Sequence, residues 1–247
     1  SLPRSCRWPS DIFCTEAMTD TFNLYRLMTW ASPSFPIGAF SYSHGIEYAV
    51  QAGLVSDGES LEHWIRSVII DGDGRSDAIL FRLAYEATKT ENRADLQEII
   101  ELASAMRATS EFAVESRQQG GAFFKIAISA WPNPDFEIVE NLINGNESSL
   151  AYPISFAVAC AVHSVPLESS LYAYLHGYAS NLVSAGVRLI PLGQTDGQSV
   201  IARLEADVAS TVDTAMGTIL DDLGSATPII DWTSTQHETQ YTRLFRS

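Results

Sequence analysis

From residue 56 onward, apolar side chains recur every three or four positions, the period of one helix face. Leu61, Trp64, Ile65, Val68 and Ile69 form one such face, and Leu80, Leu83, Ala84 and Ala87 continue it beyond a glycine-rich break at 72–74. Leu96, Ile99, Ile100, Ala103, Met106 and Ala113 predict a long amphipathic helix ending near Gly120-Gly121. Pro153 suits the first turn of a helix over Ile154 to His163. Pro166 suits the first turn of the next, whose apolar face is Leu167, Leu171, Leu175, Tyr178 and Leu182. No pair of alternating strands, fixed-period repeat or low-complexity tract interrupts the pattern. It predicts an all-α, single-domain bundle of about nine or ten helices.

The stretch "VRLIPLGQTDGQSVIARL", residues 187–204, pulls in two directions. Asp196-Gly197 between apolar runs is a strong hairpin signal. The residues after it, Val200, Ile201, Leu204, Val208, Val212, Ala215 and Ile219, keep the helical spacing instead. Thr195-Asp196-Gly197-Gln198 then reads as a T-x-x-Q capping box that starts a helix at a helix–turn–helix joint. On that reading Thr195→Ala costs about 1 kcal/mol and Asp196→Ala less. Ser56-Asp57-Gly58-Glu59 reads as a second capping box.

Composition narrows the setting. The 247 residues are 46% apolar, ample for a core, and no Pro/Gly/Ser-rich linker divides them. No apolar run reaches the roughly 18 residues that span a bilayer. A formal charge of −15 argues against polyanionic partners, both nucleic acid and anionic membrane. Cys6, Cys14 and Cys160 are odd in number and have no motif spacing, which fits a reducing cytoplasm. The opening "SLPRSCRWPSDIFCTEA" lacks the apolar run of a signal peptide and precedes the start-like Met18-Thr19-Asp20. Residues 1–20 show no helical period, and residues 1–17 are expected to be an upstream extension outside the fold.

Several segments resemble reactive motifs and fail on a required residue. Ser41-Tyr42-Ser43-His44-Gly45 lacks the first glycine of a nucleophile elbow, and prolines replace the strand that should lead into it. In His237-Glu238-Thr239-Gln240-Tyr241, tyrosine stands where H-E-x-x-H places its second zinc ligand. Asp71-Gly72-Asp73-Gly74-Arg75 puts a cation where a calcium loop needs an oxygen, and is expected to be a solvated turn. No P-loop is present. The five histidines, 44, 63, 163, 176 and 237, are scattered. No catalytic residue, metal ligand or cofactor is assigned.

Three other segments stand out. The first is Ser32-Pro33-x-x-Pro36-x-Gly38-Ala39-Phe40-Ser41-Tyr42-Ser43 with Gly45 and Glu47. The second runs from Val187 to Gln198. The third joins Asp221-Asp222-Leu223-Gly224-Ser225-Ala226 to the terminal His237-Glu238-Thr239-Gln240-Tyr241-Thr242-Arg243-Leu244-Phe245-Arg246. In this order they resemble the urease accessory protein UreF family, nearly throughout from Phe22 to Ser247. The chain departs from it in the leading 17 residues and in "GGAFFKIAISAWP", where the family usually keeps a more polar helix.

The resemblance implies a cytoplasmic, all-α protein that forms a homodimer and performs no chemistry of its own. The family joins UreD (also called UreH) and the P-loop GTPase UreG on apo-urease, which receives nickel as GTP is hydrolysed. Three parts are then expected: residues 1–20 as a disordered extension, 21–228 as the helical domain, and 229–247 as a partner-binding tail. In the family this tail inserts into UreD/UreH and becomes ordered there. Tyr241, Leu244 and Phe245 would be its apolar anchors, with Arg243 and Arg246 supplying planar donors. The turn of Gln194, Thr195, Asp196 and Gln198 is expected to pack near Tyr42, Ser43 and His44, forming a surface for UreG or the dimer mate, with Glu47 also expected to bind a partner. Two alternatives stay open. One is a regulator that inserts Arg66, Arg75 or Arg188 into the UreG site. The other is an all-α hydrolase using Ser43, His44 and Glu47.

Overall fold

A computed structural model describes residues 10–247, so residues 1–9 of the expected extension lie outside it. The described chain folds into α1 (Ser10–Trp30), α2 (Ile46–Gln51), α3 (Gly58–Ile70), α4 (Asp73–Lys89), α5 (Arg93–Ala105), α6 (Ser110–Ala130), α7 (Glu137–Ile143), α8 (Tyr152–Val162), α9 (Leu167–Leu189), α10 (Gln194–Arg203), α11 (Glu205–Gly217) and α12 (Pro228–His237). Ten of these are ten residues or longer, and α2 and α7 are short additions of 6 and 7 residues. No strand occurs among the described residues. The helical periodicity therefore reads the fold class correctly.

Helix α8 is the centre. Every residue from Pro153 to Val162 is buried, as expected of a helix that is apolar on all sides. Helices α4 and α6 pack along it, and the 23-residue α9 crosses it. Around them lies an aromatic cluster in which Trp30 meets Phe123, Trp131 and Phe156 edge to face.

Two boundaries differ from the expected ones for identifiable reasons. The series from Leu96 to Ala113 is two helices, because Thr109 takes an extended conformation and its hydroxyl accepts the Phe112 amide at 3.2 Å. Helix α6 then runs through Gly120-Gly121 instead of ending there. Gly120 is a contact point: a Cβ on it would lie 2.1 Å from the Leu150 carbonyl oxygen, where α6 meets the chain entering α8. Pro166 caps α9 from just outside.

The caps are also displaced. At α3 the N-cap is Asp57, whose carboxylate accepts the Ser60 amide at 2.8 Å while Ser60 Oγ accepts the Asp57 amide at 3.1 Å. At α10 the helix starts at Gln194, two positions earlier than the Thr195 capping box required. Gly193 is the cap residue, and the Asp196 carboxylate reaches back to its amide at 2.8 Å. Thr195 already lies within the first turn and is exposed. The energetic order therefore reverses. Asp196→Ala should cost about 0.5–1 kcal/mol, through the lost return bond and the lost negative charge at a helix N-terminus. Thr195→Ala should be neutral or stabilising by a few tenths of a kcal/mol, since alanine is the better helix former. Paired urea melts check this; a larger loss from Thr195→Ala would restore the T-x-x-Q cap.

Candidate functional site

Gly45 precedes α2 with φ of +79°, and α12 crosses directly above it. A Cβ there would sit 2.8 Å from Thr233 Oγ1, so this position needs glycine both for its backbone and for the crossing. The turn aims two side chains inward, His44 and Glu47, both buried.

His44 enters a charged cluster between helices. Its ring stacks on Phe112 with centroids 3.8 Å apart, and its Nε2 lies 3.0 Å from the Tyr178 hydroxyl. Nδ1 is 3.4 Å from Glu115, close enough for ion pairing but not aligned as a hydrogen bond. Arg107 is buried among the same groups and donates to Asp73 at 3.2 Å and Asp77 at 2.6 Å. Tyr174 donates to the other Asp77 oxygen at 2.6 Å. Burial raises the Asp77 pKa, Arg107 opposes the shift and Asp73 adds to it. Burial alone would lower the His44 pKa, but Glu115 and Asp73 outweigh it and raise the value.

Glu47 anchors the end of the chain. One carboxylate oxygen accepts the Leu244 amide at 2.6 Å, and the other accepts the Phe245 amide at 2.9 Å. His237, fully buried at the end of α12, places Nε2 3.0 Å from Glu47 and Nδ1 2.8 Å from Glu111. Glu111 also receives Arg243 at 3.1 Å. Burial opposes protonation of His237, yet the bonds to Glu111 and Glu47 prevail and raise its pKa. Farther along, Ser247 donates to Glu115, the Ser43 amide donates to the Ser247 carbonyl at 2.8 Å, and the Arg246 amide donates to the Ser41 carbonyl at 2.8 Å.

Arg188 completes the corner. It donates to the Phe40 carbonyl at 2.9 Å, and its guanidinium lies 4.3 Å from the centre of the buried Phe245 ring. Three segments far apart in sequence thus meet here: residues 38–47, Arg188 on α9, and residues 237–247. Its outer side exposes apolar side chains, Phe40 at 68%, Leu244 at 66% and Tyr241 fully, alongside the exposed Arg243 and Arg246.

The expected site residues divide accordingly. Ser43, His44, Glu47, Arg243, Leu244, Phe245 and Arg246 share this corner. Tyr42 joins it from the side, its hydroxyl bonded to Gln118. The turn at 194–198 does not pack on residues 42–44. Gln194, Thr195, Asp196 and Gln198 are exposed, and Gln198 lines a cavity of about 360 Å³ together with Phe35, Ala39, Phe40 and Tyr178.

The reactive readings find no geometry. Ser43 bonds to Ser247 and His44 faces Tyr178 and Glu115, so the two are not a nucleophile–base pair. Both ring nitrogens of His237 face carboxylates, and Glu238 accepts from Ser110. Among the described residues no cluster of three or more His, Cys, Asp or Glu could hold a metal ion. Cys160 is buried in α8, with its thiol pushed up to about 12 by burial. Of the candidate arginines, Arg66 pairs with Asp207 and Glu62, and Arg75 donates to the Gly224 and Asp222 carbonyls. With Arg188 held as above, each is committed within its own chain. The expected solvated turn at Asp71–Arg75 is instead the buried start of α4, where Asp73 pairs with Arg107. A Cβ on Gly74 would lie 2.7 Å from Ile69 Cα, so the return of the chain on α3 excludes larger residues.

Sequence reasoning missed Arg107, Asp77, Glu111, Glu115 and Tyr174. A usable signal exists: Asp73/Asp77 on α4, Glu111/Glu115 on α6 and Tyr174/Tyr178 on α9 are each spaced i, i+4. On a helix such pairs share a face, and in α4 and α9 that face is largely apolar, whereas in α6 Ser116 and Gln119 are buried beside Glu115.

The UreF family model matches residues 55–205. The chain belongs to the UreF family. It is 50% identical to the urease accessory protein UreF of Bradyrhizobium diazoefficiens over 224 residues, 91% of each chain. It is 47% identical to that of Rhodopseudomonas palustris (strain HaA2) over 91% of this chain and 94% of the relative. With the protein of the same name from Granulibacter bethesdensis it shares 43% identity over 237 residues, 96% of this chain and 99% of the relative. The family match covers α3 to the start of α11 and leaves out the first and third signature segments, which the longer alignments with whole relatives extend toward. No described helix is long and apolar enough to cross a membrane.

Proposed function

We propose that this UreF-family chain is an accessory protein of urease maturation that works as a non-catalytic scaffold. It joins UreD/UreH and the GTPase UreG on apo-urease for GTP-dependent nickel insertion, acting as a homodimer in the cytoplasm. The observation that carries this reading is the corner where Phe40, Arg188 and the tail meet. It is rigid on the inside, through Glu47, and presents Phe40, Tyr241 and Leu244 to solvent on the outside. Exposed aromatic and aliphatic side chains on a fixed frame, with Arg243 and Arg246 beside them, are what an interface anchor requires. The tail is held against its own chain through Phe245, so docking uses Tyr241 and Leu244 in place or draws the whole segment out.

Co-purification with UreD/UreH and UreG, followed by activation of apo-urease, tests the role. Tyr241→Ala with Leu244→Ala should weaken capture of UreD/UreH by about tenfold or more, since burying one such side chain is worth roughly 1.5–3 kcal/mol. Arg246→Ala should weaken capture as well. Both variants should keep the parent circular dichroism and melting temperature, because these side chains are exposed. Undiminished capture would remove the tail from the interface, and failure of the parent chain to activate apo-urease would sink the scaffold role.

A further inference from the structure

We propose that Glu47, His237 and Glu111 form a proton-controlled latch that holds residues 241–247 against the body of the protein and releases them as pH rises. Release needs no partner; its use in regulating docking rests on the role proposed above.

The geometry requires two donors from one imidazole. Nδ1 faces a Glu111 oxygen at 2.8 Å and Nε2 faces a Glu47 oxygen at 3.0 Å. A neutral imidazole has a single N–H and turns a lone pair toward the other carboxylate, whereas imidazolium donates to both. In the first case a buried oxygen is opposed to a buried lone pair unless a carboxylate takes up the proton instead, which alkaline pH also removes.

The consequence reaches the tail because Glu47 is shared. The same two oxygens accept the Leu244 and Phe245 amides, so a shift of the carboxylate away from neutral His237 loosens both. Glu111 likewise holds both His237 and Arg243. Of the elements packed on α12, α2 turns Glu47 toward His237, α6 turns Glu111, and the tail adds Arg243 at one remove. Asp231 and Glu238 belong to α12 and its cap; Glu238 is taken by Ser110. At the far end of the tail, Ser247 rests on Glu115, which pairs with the second buried histidine, His44.

The direction follows from the raised pKa of His237. Latch stability is complete below the ordinary histidine value of about 6.5 and is lost as pH rises through the value in the closed state. Between those two points closure should weaken by about tenfold per pH unit.

Hydrogen exchange of the Leu244 and Phe245 amides in the full chain, corrected for intrinsic exchange and referenced to α9, reads the latch without any partner. Protection should fall with pH above about 6.5 in the parent chain. Glu111→Gln should keep the tail protected at high pH, because the glutamine amide donates to Nδ1 while neutral His237 donates to Glu47. His237→Gln should lose the pH dependence too, and circular dichroism would confirm that α12 remains. Protection that is independent of pH in the parent, or still lost in Glu111→Gln, would overturn the latch; the second result would assign the effect to His44. Capture of UreD/UreH at both pH values then separates the readings. A working latch with unaltered capture would refute only its regulatory use, whereas no capture at either pH would refute the docking role.

Discussion

Arg107→Met should lower the stability of the protein by about 3–5 kcal/mol, the usual cost of stranding a buried charge without its partner. Methionine preserves most of the length and packing, so the loss isolates the charge. Asp73 and Asp77 approach the guanidinium at 3.2 and 2.6 Å, and its side chain is only 6% exposed. Without it, two buried carboxylates one helical turn apart face each other with Tyr174 and His44 as their remaining neighbours. The deficit should narrow as pH falls and the carboxyls become neutral. Urea unfolding at several pH values measures it. Adding Asp73→Asn and Asp77→Asn to Arg107→Met should restore part of the loss, since no unpaired charge then remains. A deficit under about 1 kcal/mol near neutral pH would mean that the pair is already uncharged there.

Gly120→Ala should be the most damaging single methyl addition in the core. The new Cβ would lie 2.1 Å from Leu150 O, 2.7 Å from Ala151 C and 2.8 Å from Tyr152 N. These are backbone atoms leading into α8, so no rotamer change makes room, and α6 must move off the central helix. Overpacking typically costs about 1–3 kcal/mol, and a clash with backbone belongs at or above the upper end. Gly217→Ala is the control. Nothing lies within 4 Å of that Cβ, at the end of α11, so the change should be neutral or slightly stabilising. Thermal melts of the two variants separate steric conflict from helix propensity; equal melting temperatures would show that α6 and α8 can part freely.

Much of the fold was legible because amphipathic helices write their buried face into the chain. Leu61 to Ile69 and Leu167 to Leu182 lie in helices as their spacing requires. Boundaries were less so, since they depend on single side-chain bonds. Thr109 breaks a continuous apolar series, and Asp196 bonds backward to Gly193, where the sequence equally allowed Thr195 to bond forward. Gly120 looked like a helix end because its reason, the chain at Leu150, lies about thirty residues away along the sequence and appears only in three dimensions. The candidate site divided in the same way. The motif around Ser43 and Glu47 and the terminal residues were visible as words, while nothing in the helical period singled out Arg107, Glu111 and Glu115. A charged residue announces burial only through partners on other helices, and those partners are fixed by packing. The expected tail at 229–247 begins with a helix, since α12 occupies Pro228–His237. Its packing on α2 and α6 supplies what local propensity lacks.

Helix α8 has no solvent face, and this imposes an order on folding. Its 11 residues include no charged side chain, so uncovered they would adhere to other unfinished chains. Its main neighbours α4 and α6 precede it in the sequence, and α9 follows. On a ribosome adding about 5–20 residues per second, a trough built from α4 and α6 can receive α8 as it emerges, and α9 closes over it seconds later. A chain halted between Val162 and Leu167 would hold that trough open. Interrupted synthesis there would leave apolar surface uncovered and yield a sticky product that a cell must clear.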